Sequence, residues 1–192
     1  MDETAHNRTM YPNNTRLQNG GGFVFKNKER HQGKGEVMII MGIDPGIANI
    51  GFGLIESSDT SYIVSGCIRT YPRSSQTRRL YSIGIKISRL IEAMNPGIII
   101  IEDFIPFRQR KNMGQISQAY GVIQYVCECS SARVIIVRPN IWMRKLLGLT
   151  QTATFSKLKI QKYVERTLGM ESKIEHEAEA LGLALYYTRR KR

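Results

Sequence analysis

Two apolar runs in this chain end on a carboxylate. Val37-Met-Ile-Ile-Met-Gly-Ile-Asp44 leads into Pro45-Gly46, and Ile98-Ile-Ile-Ile-Glu102 repeats the device. A run that apolar reads as a central β-strand, where a charge is costly unless it has a partner. In open α/β sheets the C-terminal ends of the strands are where ligands sit. A third acidic segment is Ser172-Lys-Ile-Glu-His-Glu-Ala-Glu179-Ala-Leu-Gly-Leu-Ala-Leu185. Read as a helix, it places His176 and Glu179 on one face, about 60° apart around the axis. The helix is apolar around most of its circumference, so this face should press on the sheet. Ser172 and Glu175 have capping-box spacing, which ties Glu175 to the helix start. Glu177 is assigned to solvent.

Three separate segments thus deliver metal-competent side chains: Asp44, Glu102 and the His176/Glu179 pair. Two hard cations held by carboxylates and phosphate oxygens can stabilise both the attacking water and the leaving 3′-oxygen in phosphodiester hydrolysis. Mg²⁺ fits the carboxylates, and Mn²⁺ should substitute because it also accepts imidazole. His176 is either a ligand or a proton shuttle. Plainer readings exist for each residue alone. Asp44 would serve an Asp-Pro-Gly bend, Glu102 would pair with Arg108 or Arg110, and Glu179 would be a surface carboxylate. Their joint occurrence in a basic protein favours the metal reading.

The chain carries 28 Lys and Arg against 16 Asp and Glu over 192 residues, a formal net charge of +12. That surplus favours a polyanionic partner, because release of condensed counterions drives binding to nucleic acid. No apolar run has the length of a membrane span and no secretory leader is evident, so a soluble, intracellular protein is expected, its compartment open. Cys67, Cys127 and Cys129 are odd in number and lack zinc spacing; they read as reduced, mostly buried thiols. Residues 1–36 are polar, Asn- and Gly-rich, and read as a disordered arm. Two glycosylation-like triplets there, at Asn7 and Asn13, are discounted for want of a signal peptide.

The elements that position the acids follow from Val37 onward. Strand 37–44, Gly51–Ile55 and Ser61–Ile68 form an antiparallel meander. Leu80, Ile83, Ile87, Leu90 or Ile91, and Met94 recur at helical spacing, and Asn95-Pro-Gly97 stops that helix before the strand ending at Glu102. A second helix spans about 111–130, with Ile116, Ala119, Tyr120, Ile123 and Val126 as its stripe. Strand 132–137 follows, then a short helix near 140–147, a basic helix near 154–168, and the acidic helix. The order βββαβαβααα predicts an RNase H-like α/β fold: a mixed sheet, antiparallel meander plus parallel strands, flanked by helices. Residues 37–192 form that domain.

Two segments suit DNA. Phe104 and Phe107 interleave with Arg108, Arg110 and Lys111, a combination suited to stacking on unpaired bases and gripping phosphates; the plainer alternative makes both Phe core residues. Lys159, Lys162 and Arg166 lie on one helical face opposite Ile160, Val164 and Leu168, with Lys157 at the helix start. Trp142 reads as a packing residue.

Met41-Gly-Ile-Asp-Pro-Gly-Ile-Ala-Asn-Ile-Gly-Phe-Gly53 resembles the opening strand and turn of RuvC-type Holliday junction resolvases. Ile101-Glu102 with its aromatic-containing loop and Gln118-Ala-Tyr-Gly121 resembles their second motif, and His176-Glu-Ala-Glu-Ala-Leu181 their closing one. The resemblance covers about residues 37–188. It implies catalytic and metal-binding roles for Asp44, Glu102, His176 and Glu179. It also implies a homodimer that places paired, symmetric nicks in a four-way junction, with the helix at 111–130 as subunit contact. It points to Arg144 or Lys145 and to Lys157 as DNA contacts, and puts Ile105 at the junction-probing position. The chain departs from the family in a final Glu where Asp is commoner, and carries His at the third position, as some members do. Other expected outcomes are a nuclease for other branched DNA or RNA, or a non-catalytic junction-binding module.

Overall fold

The computed structural model describes residues 38–104, 112–149, 156–172 and 174–190. The arm expected at 1–36 lies outside them, as do Ile105, Phe107, Arg108, Arg110 and Lys111.

Three strands open the domain: β1 (Ile39–Asp44), β2 (Asn49–Glu56) and β3 (Tyr62–Arg69). Helix α1 (Gln76–Met94) follows, then β4 (Ile98–Glu102), α2 (Met113–Glu128), β5 (Arg133–Val137), α3 (Pro139–Leu147), α4 (Lys157–Leu168) and α5 (Glu175–Arg190). The element order is the one read from the sequence. Within the sheet the order is β3-β2-β1-β4-β5, so the strand that ends on Asp44 is the central one. β1 runs antiparallel to β2 and parallel to β4, and β4 runs parallel to β5.

Side chains alternate across the sheet with period two, and each face has its own core. Met41, Ile43, Ile99 and Ile101 pack with Ile83, Ile87 and Leu90 of α1 and with Ala119 and Ile123 of α2. Ile40, Ile98 and Ile100 face the other way, toward Trp142 and Leu146 of α3, Ile160 and Val164 of α4, and Leu181 and Leu185 of α5. Asp44 and Glu102 continue this second set, so both carboxylates point to the α3–α5 side. The parallel register pairs Ile43 with Ile101. One step further places the Asp44 and Glu102 positions side by side at the C-terminal edge, about 4.8 Å apart as neighbouring strands are.

Helix α1 begins at Ser75, whose side chain accepts a hydrogen bond from the Arg78 amide, and stops at Asn95 in a left-handed conformation, φ 44°. The Asn95-Pro96-Gly97 stop thus works as read, with Asn tolerating the conformation that most residues avoid. The cysteines depart from expectation. All three are free, but Cys127 alone is buried; Cys67 is half-buried and Cys129 exposed. Cys129 sits at the end of α2, where the chain has already turned out of the core.

Helix α5 lies directly on β1 and β2. A Cβ at Gly42 would come within 1.9 Å of the Ala180 carbonyl oxygen, and one at Gly51 within 2.0 Å of the His176 carbonyl oxygen. Backbone meets backbone here, so no side chain can move aside. Gly42→Ala should therefore destabilise the protein by about 3 kcal/mol, read from chemical denaturation. An unchanged midpoint would mean that α5 can lift from the sheet without cost.

Candidate metal centre

Three elements converge at the C-terminal edge of β1. Asp44 ends the strand and is buried. α5 brings His176 and Glu179 over it, with His176 Nδ1 2.5 Å from Asp44 Oδ2. One potential ligand atom from each of Asp44, His176 and Glu179 lies within 4.8 Å of the others. Glu179 is only 3 % exposed, so it faces the site and not solvent. Glu102 is not part of that triplet, but it adjoins it closely enough to feel both Asp44 and Glu179.

Electrostatics mark the corner as short of positive charge. Burial, reinforced by repulsion from Asp44 and Glu179, pushes the Glu102 carboxyl up to about 8. Burial and Asp44 likewise push Glu179 up to about 7. Lys157 opposes both shifts. Its ammonium pairs with Glu175 and lies 3.2 Å from Glu179 Oε1. Burial pulls the Lys157 pKa down, but hydrogen bonding to Glu175 and the attraction of Glu179 outweigh it, and the net shift is upward. His176 is raised by its hydrogen bond to Asp44, against the effect of burial. Meanwhile Glu102 Oε2 is buried with no hydrogen-bond partner. Carboxylates that resist ionisation, with an orphaned oxygen among them, are what a cation would relieve. Carboxylates with one imidazole make a donor set that suits Mg²⁺ or Mn²⁺. The residues fit a divalent cation.

Two sequence readings need correction. Glu177 does not point to solvent: it is buried, and Ser65 of β3 donates a 2.5 Å hydrogen bond to its Oε1. α5 packs so flat on the sheet that the flank beside His176/Glu179 is covered too. Nor does Ser172 form a capping box with Glu175. Its amide and hydroxyl both donate to Glu165 of α4, while Glu175 accepts from Lys157. Contacts with α4 replace the local cap.

Of the basic residues singled out, Lys157 sits at the rim of the acidic cluster. Lys159 and Lys162 are exposed on α4, opposite the buried Ile160 and Val164, as read. Arg144 is half-buried and lines a surface hollow with Lys145, Asn140, Ile141 and Leu149. Lys145 Nζ also lies 5.9 Å from the Tyr186 ring centroid. Phe104 is half-buried, its ring 6.2 Å from that of Tyr120 on α2.

The sequence reading missed a buried arginine that braces the turn after Asp44. Arg79 donates through Nε to Thr70 Oγ1 at 2.9 Å and through Nη2 to the Ile47 carbonyl at 3.0 Å. Thr70 donates to the same carbonyl at 2.6 Å. An Arg at a core-facing helical position was the available signal, since arginine is almost never buried without partners.

Comparisons with known proteins fit this arrangement. Residues 40–187 match the family model for the crossover junction endodeoxyribonuclease RuvC. This chain belongs to the RuvC family. The RuvC protein of Natranaerobius thermophilus is 30% identical over 155 residues, covering 79% of this chain and 94% of that protein. The RuvC of Treponema denticola is 32% identical over 150 residues, covering 76% and 83%. Among solved structures, T. thermophilus RuvC in complex with Holliday junction substrate has a TM-score of 0.69 at 20% identity, covering 81% of this chain and 95% of that one. The yeast mitochondrial Holliday junction resolvase Ydc2 has a TM-score of 0.57 at 13% identity, covering 80% of each. The fold is RNase H-like. No helix among the described residues is long and apolar enough to cross a membrane.

The raised carboxyl values set a pH dependence for the metal-free protein. With pKa values of about 8 and 7 for Glu102 and Glu179, the folded state holds protons that the unfolded chain releases near pH 4.5. Their stabilising contribution is full below the unfolded value and is lost as pH rises through about 7 to 8. The raised His176 pKa acts in the same direction. Thermal melts without metal should therefore fall between pH 5 and pH 8, and added Mg²⁺ should restore stability most at the upper end. A Mg²⁺ effect equal at pH 5 and pH 8 would contradict the assignment.

Proposed function

We propose that this chain is a metal-dependent, structure-selective DNA endonuclease that resolves four-way (Holliday) junctions by paired, symmetric nicks. The observation that carries this is the gathering of Asp44, Glu102, His176 and Glu179 in one cation-deficient corner of a RuvC-family chain. In this reading those four residues hold divalent cations, two Mg²⁺ per site with Mn²⁺ able to substitute. Such cations, when bound, stabilise charge at the scissile phosphate and lower the pKa of water.

The chain's own groups do the rest. Asp44 orients His176 through the Nδ1 contact, which leaves Nε2 as the nitrogen that holds a proton or faces a cation. Glu179 reaches the corner with its longer side chain from a helix held flat on the sheet. Lys157 stands at the mouth, where its ammonium compensates the carboxylates and suits an approaching phosphate. Lys159 and Lys162 on α4, Arg144 and Lys145 on α3, and Phe104 beside β4 are the proposed DNA contacts, together with Ile105, Phe107, Arg108, Arg110 and Lys111.

Two sites on opposed strands require two copies, so a homodimer is part of the proposal. α2 suits the contact. Ala119, Ile123 and Cys127 are turned into the monomer's core, while Ile116 and Tyr120 are only partly packed and Tyr125 is 67% exposed. Sedimentation should give the mass of two chains.

The activity test uses a labelled synthetic mobile junction with Mg²⁺ or Mn²⁺. Wild-type protein should nick two opposed strands at symmetric positions. Asp44→Asn should slow nicking by about a thousandfold or more while junction binding persists. Nicking unaffected by both Asp44→Asn and Glu102→Gln would overturn the site, and tight binding without cleavage in any metal would leave a binding module.

A further inference from the structure

Trp142 is the chain's single tryptophan. It is fully buried on the inner face of α3, yet its indole Nε1 has no hydrogen-bond partner. A buried indole N–H ordinarily finds an acceptor. Three buried side-chain polar atoms are unpaired among the described residues, and two of them, Trp142 Nε1 and Glu102 Oε2, belong to this one corner. Trp142 belongs to the core cluster of Ile100 and Val137, and Val137 is the β5 partner of Glu102, so the indole lies beside that carboxylate and lowers its raised pKa. The pair nonetheless stops short of hydrogen-bond geometry.

The ring's seat is specific. A Cβ at Gly182 would fall 2.8 Å from Cζ3 and 3.2 Å from Cη2 of the indole. Glycine in a helix interior is disfavoured, and Gly182 lies within α5, three residues after Glu179. The helix that carries Glu179 thus gives up intrinsic stability to admit the ring that abuts Glu102. Filling of the core alone would need no N–H beside a carboxylate.

We infer that Trp142 is a positioning residue of the cation site: its indole N–H engages Glu102 Oε2 when a cation is bound and fixes the carboxylate toward that cation. The inference rests on the reading of Glu102 as a cation ligand. With a cation bound, the indole N–H on Oε2 would hold one carboxylate oxygen still while the other meets the ion, as outer partners of metal ligands do.

The test uses the full chain without DNA. Trp142 alone supplies the tryptophan emission, so titration with Mg²⁺ reports on its surroundings; free Mn²⁺ is counted in parallel by electron paramagnetic resonance. Emission should change saturably with Mg²⁺, a diamagnetic ion that does not quench by proximity, and Glu102→Gln should abolish the change. Trp142→Phe should weaken Mn²⁺ binding about five- to tenfold, with metal-free junction binding and helical content retained. Gly182→Ala, which keeps the indole but displaces it, should weaken Mn²⁺ binding in the same direction, and serves if Trp142→Phe does not fold. Flat emission while Mn²⁺ binds, or wild-type Mn²⁺ affinity in both variants, would overturn the positioning role and leave the cation site standing. Failure of the wild-type chain to bind Mn²⁺ at all would instead remove the cation site, and this inference with it.

Discussion

The site depends on how closely α5 can approach the sheet. At Gly42 and Gly51 a single methyl group would collide with the backbone of α5 at Ala180 and His176. Without side chains there, the helix settles on β1 and β2 and carries His176 to within 2.5 Å of Asp44. Nearly every other feature follows from that contact. It buries Glu179 over the strand ends, turns the flank bearing Glu177 against β3, and leaves room near the α5 glycine Gly182 for the indole of Trp142. The apolar strands beneath supply a rigid floor, because β1 is held by hydrogen bonds on both sides and packed on both faces.

Close approach also creates an electrostatic problem. Three carboxylates are concentrated where water is largely excluded, and the pKa values of Glu102 and Glu179 rise because ionisation there is unfavourable. Lys157 compensates only part of this, reaching in from the start of α4 while also pairing with Glu175. The protein tolerates a destabilised corner whose charge pattern suits a divalent cation and, next to it, a phosphate. Perturbed carboxyl groups of this kind cluster at functional sites.

Much of this was legible in the sequence, for a physical reason. A carboxylate closing an apolar strand violates the local preference for apolar burial, so Asp44 and Glu102 stood out without any structure. The 3.6-residue period then put His176 and Glu179 on one face, and the element order gave the sheet. What escaped notice depended on packing between distant segments. Glu177 read as a solvent residue because helical spacing alone does not say how flat the helix lies. Ser172 and Glu175 fitted a local cap, but Glu165 and Lys157 of the neighbouring helix won both groups. Trp142 read as simple core because its second role depends on a strand end 40 positions earlier in the chain. Arg79 went unread because its partners, Thr70 and the Ile47 carbonyl, lie on other segments of the chain.

In the proposed function this corner holds a divalent cation jointly through β1, β4 and α5. Anomalous diffraction from a crystal soaked in Mn²⁺ tests it most directly. A strong peak bonded to carboxylate oxygens of Asp44, Glu102 and Glu179 is expected. Fully occupied Mn²⁺ elsewhere, with no peak here and Lys157 still seated against Glu179, would contradict it.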